Sequence, residues 1–454
     1  MFLRSAIVAV LLLLLIFPVA RYAGAQSRTS LKDWISIFDG KDLHGWHELG
    51  GRNQFSPADG SLIAEASPNG GAQLVTDQTY RDFMLQLDFM ADSSQRAGIL
   101  VRSEDKSENP AGYQVAIDPA QGGWTGALRE STEGEWLYPL TLDPPARKAI
   151  HPGAWNHLYV ECIGSTIRTW INGIPASNLE DSSRQQGYIS LYIAPSQGDT
   201  RGKIRFRRIR ICTARVHAKP LDEIFVVNNI PNTLSAQEQK NGWQLLWDGK
   251  TTTGWRGIFR TAFPTEGWEI HDGVLTIHVS NGQEEGSGGD IVTDREFQAF
   301  DLQFEFKYTE VANSGVKYDV KETYNPDGKS GIGLEYQILD DAHHPDAKLG
   351  RNGDRTLSSL YDLIPRKDIP EAFRPIGAWN RGRIIVYPDN HTEHWLNGYK
   401  MLQYEKGSRE FLALVAISKF KVWKNFGRWK EGHILLQDHG TEVSFRSIKI
   451  KVLK

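Results

Sequence analysis

The chain has 454 residues, a net charge of −3 from 52 Lys+Arg against 55 Asp+Glu, 40% hydrophobic and 24% charged residues. This length corresponds to about two or three domains, the composition is too apolar for a disordered chain, and the charge balance offers no electrostatic footprint for a nucleic acid. Two Cys exclude a disulfide-built scaffold or a Cys-rich metal centre, and 43 Gly with 14 Trp favour a turn-rich β protein.

Residues 1–25 read as an export signal. Arg4 supplies the positive start, Ala6 to Phe17 is an unbroken apolar run, and Ala23-Gly24-Ala25 is a small-x-small site with cleavage expected after Ala25. The run is shorter than the ~20 residues that a membrane span requires, and no later stretch is long enough. The mature chain is therefore expected in the periplasm or outside the cell, with no membrane span after cleavage. That compartment permits a disulfide. Cys162, however, shares strand parity with Leu158 and Val160, whereas Cys212 shares it with Arg208 and Arg210, so the two thiols are expected on opposite faces.

From residue 33 onward one unit is written twice. Phe38-Asp-Gly40 with Gly45-Trp46 returns as Trp247-Asp-Gly249 with Gly254-Trp255, and Asp59-Gly60 returns as Asp272-Gly273. Val75-Thr-Asp77 returns as Val292-Thr-Asp294, and Leu85-Gln-Leu-Asp-Phe89 as Leu302-Gln-Phe-Glu-Phe306. Gly153-Ala-Trp-Asn156, Trp170-Ile-Asn-Gly173 and Phe206-Arg-Arg-Ile-Arg-Ile211 return as Gly377-Ala-Trp-Asn380, Trp395-Leu-Asn-Gly398 and Phe445-Arg-Ser-Ile-Lys-Ile450. The order is kept while the offset grows, which marks loop insertions in a duplicated domain. Short apolar-rich runs punctuated by Asp-Gly, Asn-Gly and Pro are the pattern of an antiparallel β-sandwich. The division expected is a first domain at 33–213, a linker at 214–241 and a second domain at 242–454. Within the linker, Ser235-Ala-Gln-Glu238 is a capping box and Gly242 a stop, so one short helix is expected there.

Copy two adds Asn313-Ser-Gly-Val-Lys-Tyr318, Gly333-Leu-Glu-Tyr-Gln-Ile-Leu-Asp-Asp341, His344-Pro-Asp-Ala-Lys348, Leu360-Tyr-Asp-Leu-Ile-Pro365, Glu393-His-Trp-Leu-Asn-Gly398 and Gly432-His-Ile-Leu-Leu-Gln-Asp-His-Gly440. With the Asp-Gly-Lys and Gly-Trp entry of both copies, this ordered set resembles the 3-keto-disaccharide hydrolase family, formerly a domain of unknown function. The match is close in copy two and looser in copy one. The resemblance implies an all-β architecture of two tandem concanavalin A-like jelly rolls and action on 3-keto-glycosides, whose glycosidic bond is cleaved after oxidation at C3.

The two copies serve as an internal control. Glu335 and Gln337 stand where copy one has Gln114 and Ala116, Lys317 where it has Leu100, His394 where it has Thr169, and Gln437-Asp-His-Gly440 where it has Tyr192-Ile-Ala-Pro195. Framework residues are shared and acid–base residues are not. Copy two is therefore read as the chemical domain, and copy one as a structural or sugar-binding partner. Strand parity sets Glu335 with Gln337, His433 with Leu435, Gln437 and His439, and Lys317 with Asp319 against Val316, Tyr318 and Val320. If all these polar faces line one sheet, Lys317, Glu335, Gln337, His394, Gln437 and His439 converge.

A C3 ketone makes the C2 proton acidic. A base removes it, the enediolate needs positive charge or hydrogen-bond donors, the C1 substituent leaves by β-elimination, and water adds back. His394 or His439 is expected as the base, Glu335 as acid/base partner or metal ligand, and Lys317 or a bound metal as the oxyanion stabiliser. Gln337, Asp340, His344, Tyr361, Trp423, Gln437 and Asp438 are the candidate substrate-binding residues. Tyr361, Trp423, Phe426 and Trp429 could stack on sugar rings. No cofactor is required by the sequence; the carboxylates and histidines of the long segment from Asp340 to Pro365 make a divalent cation the one candidate. Two rival readings stay open. One is an ordinary jelly-roll glycoside hydrolase, disfavoured because position 337 is Gln and cannot serve as the second carboxylate. The other is a non-catalytic carbohydrate-binding protein.

Overall fold

The computed structural model describes residues 33–454 apart from 50–53, 69, 93, 105–110, 121–122, 133, 197–201, 219–223, 281–287 and 326–327, and at 324, 325 and 328–330 the backbone alone. The export segment expected at 1–25 lies outside the described residues. No helix among the described residues is long and apolar enough to cross a membrane.

The chain forms two tandem jelly-roll sandwiches, each with its own apolar core. Copy one packs a nine-stranded sheet against a seven-stranded one. Copy two packs an eight-stranded sheet against a five-stranded one, which runs Trp255–Gly257, Ile291–Phe297, Gly432–Leu436, Asn313–Asn325, Gly328–Leu339. Alternation drives the layers together. In Lys203–Cys212, Ile204 and Phe206 are buried while Lys203 and Arg205 are exposed. A bulge at Arg208, with φ +52°, then shifts the phase so that Ile209 and Ile211 also turn inward. Copy two repeats the device at Ser447, φ +54°, in the twin strand Val443–Val452. The hairpins at Asp59-Gly60, Asp272-Gly273, Asn172-Gly173 and Asn397-Gly398 hold both central residues at positive φ, the backbone that matches strand twist.

A second pair of matched bulges keeps Lys317 opposite Val316 and Tyr318, as expected, but corrects the parity expected for Val320. Asp319 has φ +53°, and its counterpart Arg102 has φ +51°. Past Asp319 the register shifts, so Val320 turns outward to join Val292 and Leu435, while Tyr318 stays in the core. The Asp319 carboxylate meets Lys406 Nζ at 2.6 Å in a buried pair.

Cys162 lies opposite Phe83 and Cys212 opposite Met84, on either side of the same strand. Adjacent residues of a strand face opposite ways, so the two buried thiols point apart.

The linker is built into the structure. Val227–Asn228 adds a parallel strand to copy one's large sheet. Helix α1, Ala236–Lys240, starts at Ser235 with the complete capping box to Glu238, and Gly242 follows it at φ +86°. Gln237 of α1 accepts a hydrogen bond from Asn178 of copy one at 2.9 Å, and Glu238 pairs with Lys449 of copy two inside the protein. Arg374–Glu135 at 2.8 Å and the Trp124–Tyr399 ring contact join the two sandwiches directly.

A second helix, α2, spans Arg409–Ile417. Its N-cap Ser408 accepts from Phe411 N–H, and a short 3-10 turn at Lys419–Val422 continues it. This helix was not foreseen, although Ser408 three residues before Phe411 is a start signal.

Candidate active site

Two strands of the five-stranded sheet set the site. Along Asn313–Asn325, Val316 and Tyr318 face the core; along Gly328–Leu339, Leu334, Tyr336 and Ile338 do so. Lys317 and Glu335 occupy the intervening positions, so they face outward, directly opposite each other in the ladder. Gln437, just past the neighbouring strand, bridges them. With its amide oriented to suit both partners, its nitrogen donates to Glu335 Oε1 at 3.3 Å and its oxygen accepts from Lys317 Nζ at 3.3 Å. Gly315 makes room, since a Cβ there would stand 2.5 Å from Glu335 Oε1.

Further charges surround this trio. Asp290 Oδ2 lies 3.8 Å from Lys317 Nζ, and its other oxygen accepts Asp438 N–H at 2.9 Å. Burial pushes the Asp290 carboxyl up, against the pull of Lys317. Lys419 stands over the Tyr361 ring with its ammonium 4.0 Å from the centroid. Burial pushes the Lys419 ammonium pKa down; the Glu335 charge opposes that shift and Lys317 adds to it. Tyr361 donates to Asp346 Oδ2 at 2.8 Å, and Arg355 clamps Asp346 and Asp362 at 2.8 Å each. Burial, with a smaller push from the nearby His439 charge, holds His344 below the usual histidine range. Neither Asp290 nor Lys419 was singled out from the sequence. Asp290 had a visible signal, because aligning Val292 with Val75 sets it against Gln73 of copy one. Lys419 had none, being carried in by the α2 insertion.

Several expected residues lie elsewhere. His394 is 0% exposed, on the opposite sheet and on the core side of Tyr318 and Tyr336. The five-stranded sheet separates it from Lys317 and Glu335, so the expected convergence of His394 with that pair is corrected. Ser358 O accepts from its Nδ1 at 3.3 Å, its Nε2 accepts from Tyr318 O–H at 2.8 Å, and Tyr404 O–H lies 2.6 Å from the Tyr318 oxygen. Burial pushes its pKa down to about 3. Thr169, its counterpart, is likewise fully buried. The position belongs to the core in both copies, and parity alone could not say which side of the sandwich it faced.

Gln337 shares Glu335's face but is fully buried, donating to Asn313 Oδ1 at 3.0 Å. Asp340 and Asp438 are turn caps. Asp340 accepts from Val311 N–H and the His343 ring at 2.8 Å each; burial works against its charge, but these donors hold it below the usual carboxylate range. Asp438 accepts from Gly289 and Gly440 N–H at 3.0 Å each. His344 caps the turn at Pro345–Lys348. Trp423 packs against the copy-two core in the segment after α2, as does Trp429, while Phe426 is buried in that core, stacked on Phe420. The acids of the long segment are spent internally: Asp341 accepts Leu357 N–H and Arg366. Among the described residues no group of three or more His, Cys, Asp or Glu side chains is placed to hold a metal ion.

Copy one carries the same scaffold, with uncharged residues at the positions of Lys317, Glu335 and His439. Gln114 lies across Gly98 as Glu335 lies across Gly315, with a Cβ at Gly98 falling 2.4 Å from Gln114 Nε2. Leu100, Tyr192 and Ala194, the counterparts of Lys317, Gln437 and His439, form a small buried apolar cluster.

A model of the 3-keto-alpha-glucoside-1,2-lyase-like domain matches the chain twice, at residues 33–212 and 242–451. A 3-keto-disaccharide hydrolase of Bacteroides thetaiotaomicron is 35% identical over 242 residues, which is 49% of this chain and 82% of that protein. A crystal structure from Parabacteroides distasonis, described as a candidate glycosyl hydrolase, is 29% identical with a TM-score of 0.43, covering 49% of this chain and 100% of that one. The beta-glucanase of Bacillus licheniformis is 10% identical with a TM-score of 0.29, over 39% of this chain and 96% of that one.

Proposed function

Because the chain belongs to the 3-keto-alpha-glucoside-1,2-lyase-like family, whose model matches both of its sandwiches, we propose that it cleaves the glycosidic bond of 3-keto-glycosides or 3-keto-disaccharides at the outer face of copy two. The observation that carries this reading is the Lys317–Gln437–Glu335 bridge with Asp290 beside it, at positions where copy one has Leu100, Tyr192, Gln114 and Gln73, together with Lys419, which the α2 insertion adds in copy two. The 3-keto-disaccharide hydrolase of B. thetaiotaomicron supports the substrate class.

The substrate's C3 carbonyl oxygen sits between Lys317 and Lys419. His439 takes the C2 proton, and the electron pair moves onto O3, where the two ammonium groups stabilise the enediolate. The pair returns to form the C1–C2 double bond as the C1–O bond breaks, and Glu335 protonates the departing oxygen. Glu335, now a carboxylate, takes a proton from water as the hydroxyl adds to C1, and His439 returns its proton to C2, which restores both groups and releases 3-keto-glucose after the free aglycone. Gln437 holds Lys317 and Glu335 at a fixed separation.

The test gives the purified protein a 3-keto-glucoside and its unoxidised parent. Release of 3-keto-glucose from the first alone is expected. Cleavage of the parent would make the protein a plain glycosidase, and binding without turnover would make it a lectin. We further propose export on the strength of Arg4, the Ala6–Phe17 run and Ala23-Gly24-Ala25; mass analysis of the native protein should find Gln26 as its first residue.

A further inference from the structure

We propose that copy one holds a second saccharide site, which binds sugar without cleaving it. This rests on the saccharide substrate class proposed above. The outer face of copy one carries a cleft of about 310 Å³ lined by Gln114, Arg96, Asp118, Arg129, Trp136 and Tyr192 among others. That volume lies at the small end of ligand pockets, about 300–1,000 Å³, and suits one terminal sugar ring better than a chain.

The lining is built for a neutral polyhydroxyl ligand. Gln114 is 4% exposed, lies flat across Gly98 and lines the cleft, and its side-chain oxygen has no hydrogen-bond partner. A buried acceptor left in that condition is costly, and a sugar hydroxyl would supply the missing donor. Arg96, exposed at the cleft, and Asp118 serve hydroxyls as donor and acceptor, while Arg129 is held on Gly134 O and lies against the Trp136 ring. The Trp136 ring is fixed by stacking on Trp124 at 4.8 Å, and Tyr192 adds a second aromatic surface. The residues that would make the site reactive are absent: Leu100 and Ala194 stand where Lys317 and His439 do, and an amide replaces the Glu335 carboxyl.

Equilibrium dialysis of the full chain tests the assignment, with Glu335→Gln introduced to stop turnover and a radiolabelled 3-keto-disaccharide as probe. Two equivalents bound per chain are expected. Adding Gln114→Ala or, separately, the exposed change Arg96→Ala should weaken one of the two sites about fivefold or more, and neither should alter kcat in the otherwise native enzyme. One equivalent per chain that both variants leave intact overturns the proposal, as do two equivalents insensitive to both, or a Gln114→Ala enzyme whose kcat collapses. One equivalent abolished by both variants would sustain the copy-one site while refuting substrate binding at copy two.

Discussion

Lys317 and Glu335 share one ladder position and one bridging amide, so they should fail together. Glu335→Gln and Lys317→Met are each expected to lower kcat on a 3-keto-glucoside by about 10²–10⁴-fold with the circular dichroism spectrum unchanged. Additive rather than shared losses in the double variant would mean that they act separately. His394 should behave differently, as a core residue. Its pKa falls from 6.5 to about 3 on folding, so below pH 6.5 the unfolded chain takes up a proton that the native state refuses. Stability is therefore full above about pH 6.5 and declines as the pH falls, by up to about 1.4 kcal/mol per pH unit. Denaturant titrations of His394→Gln should show a shallower slope between pH 6 and 4 than the parent. The comparison of copies made these residues legible as a set, because a duplicated chain shows where chemistry and framework diverge. It misplaced His394, since a lost histidine in copy one reads the same whether the position faces solvent or core.

At the scale of elements, the bulges and the insertions decide the site. The Asp319 bulge turns Val320 outward while Tyr318 stays inward, and no alternation pattern announces such a phase shift. Gly315→Ala should push Glu335 aside and lower kcat at least tenfold, as expected when a catalytic group is misplaced by about 1 Å. Gly98→Ala makes the same intrusion on Gln114 and should leave turnover alone. The two variants thus separate the copies by steady-state kinetics. Helix α2 carries Lys419 to the site, so Lys419→Met should reduce kcat by about 10²-fold, whereas Ser408→Ala should cost about 1 kcal/mol of stability through the lost cap with little kinetic effect. The short α1 helix was readable from its capping box because the signal is local. Lys419 was not, because its place depends on Lys419 N–H bonding to Asp362, 57 residues away.

Across the whole molecule, the linker joins two sandwiches that also touch. Glu238 and Lys449 form a buried pair between α1 and copy two, while Gln237 of the same helix bonds to copy one. Removing one partner strands the other's charge, so Glu238→Gln should lower stability by about 3–5 kcal/mol. Calorimetry of the native chain should show one transition, and Glu238→Gln should split it into two.

Fold class, the duplication, the linker helix and the asymmetry between copies were all determined by the amino-acid sequence alone, because alternation, turn chemistry, capping and repetition act over a few residues or on the comparison of two written copies. Only the tertiary structure decided which polar residues meet. It set Lys317, Glu335 and Gln437 on one outer face, drew Asp290 and Lys419 to them, and sealed His394 behind the sheet. Parity states that two residues share a face of their own strand; which face looks outward, and which distant segment covers it, follows from how the sheets pack and where the bulges fall.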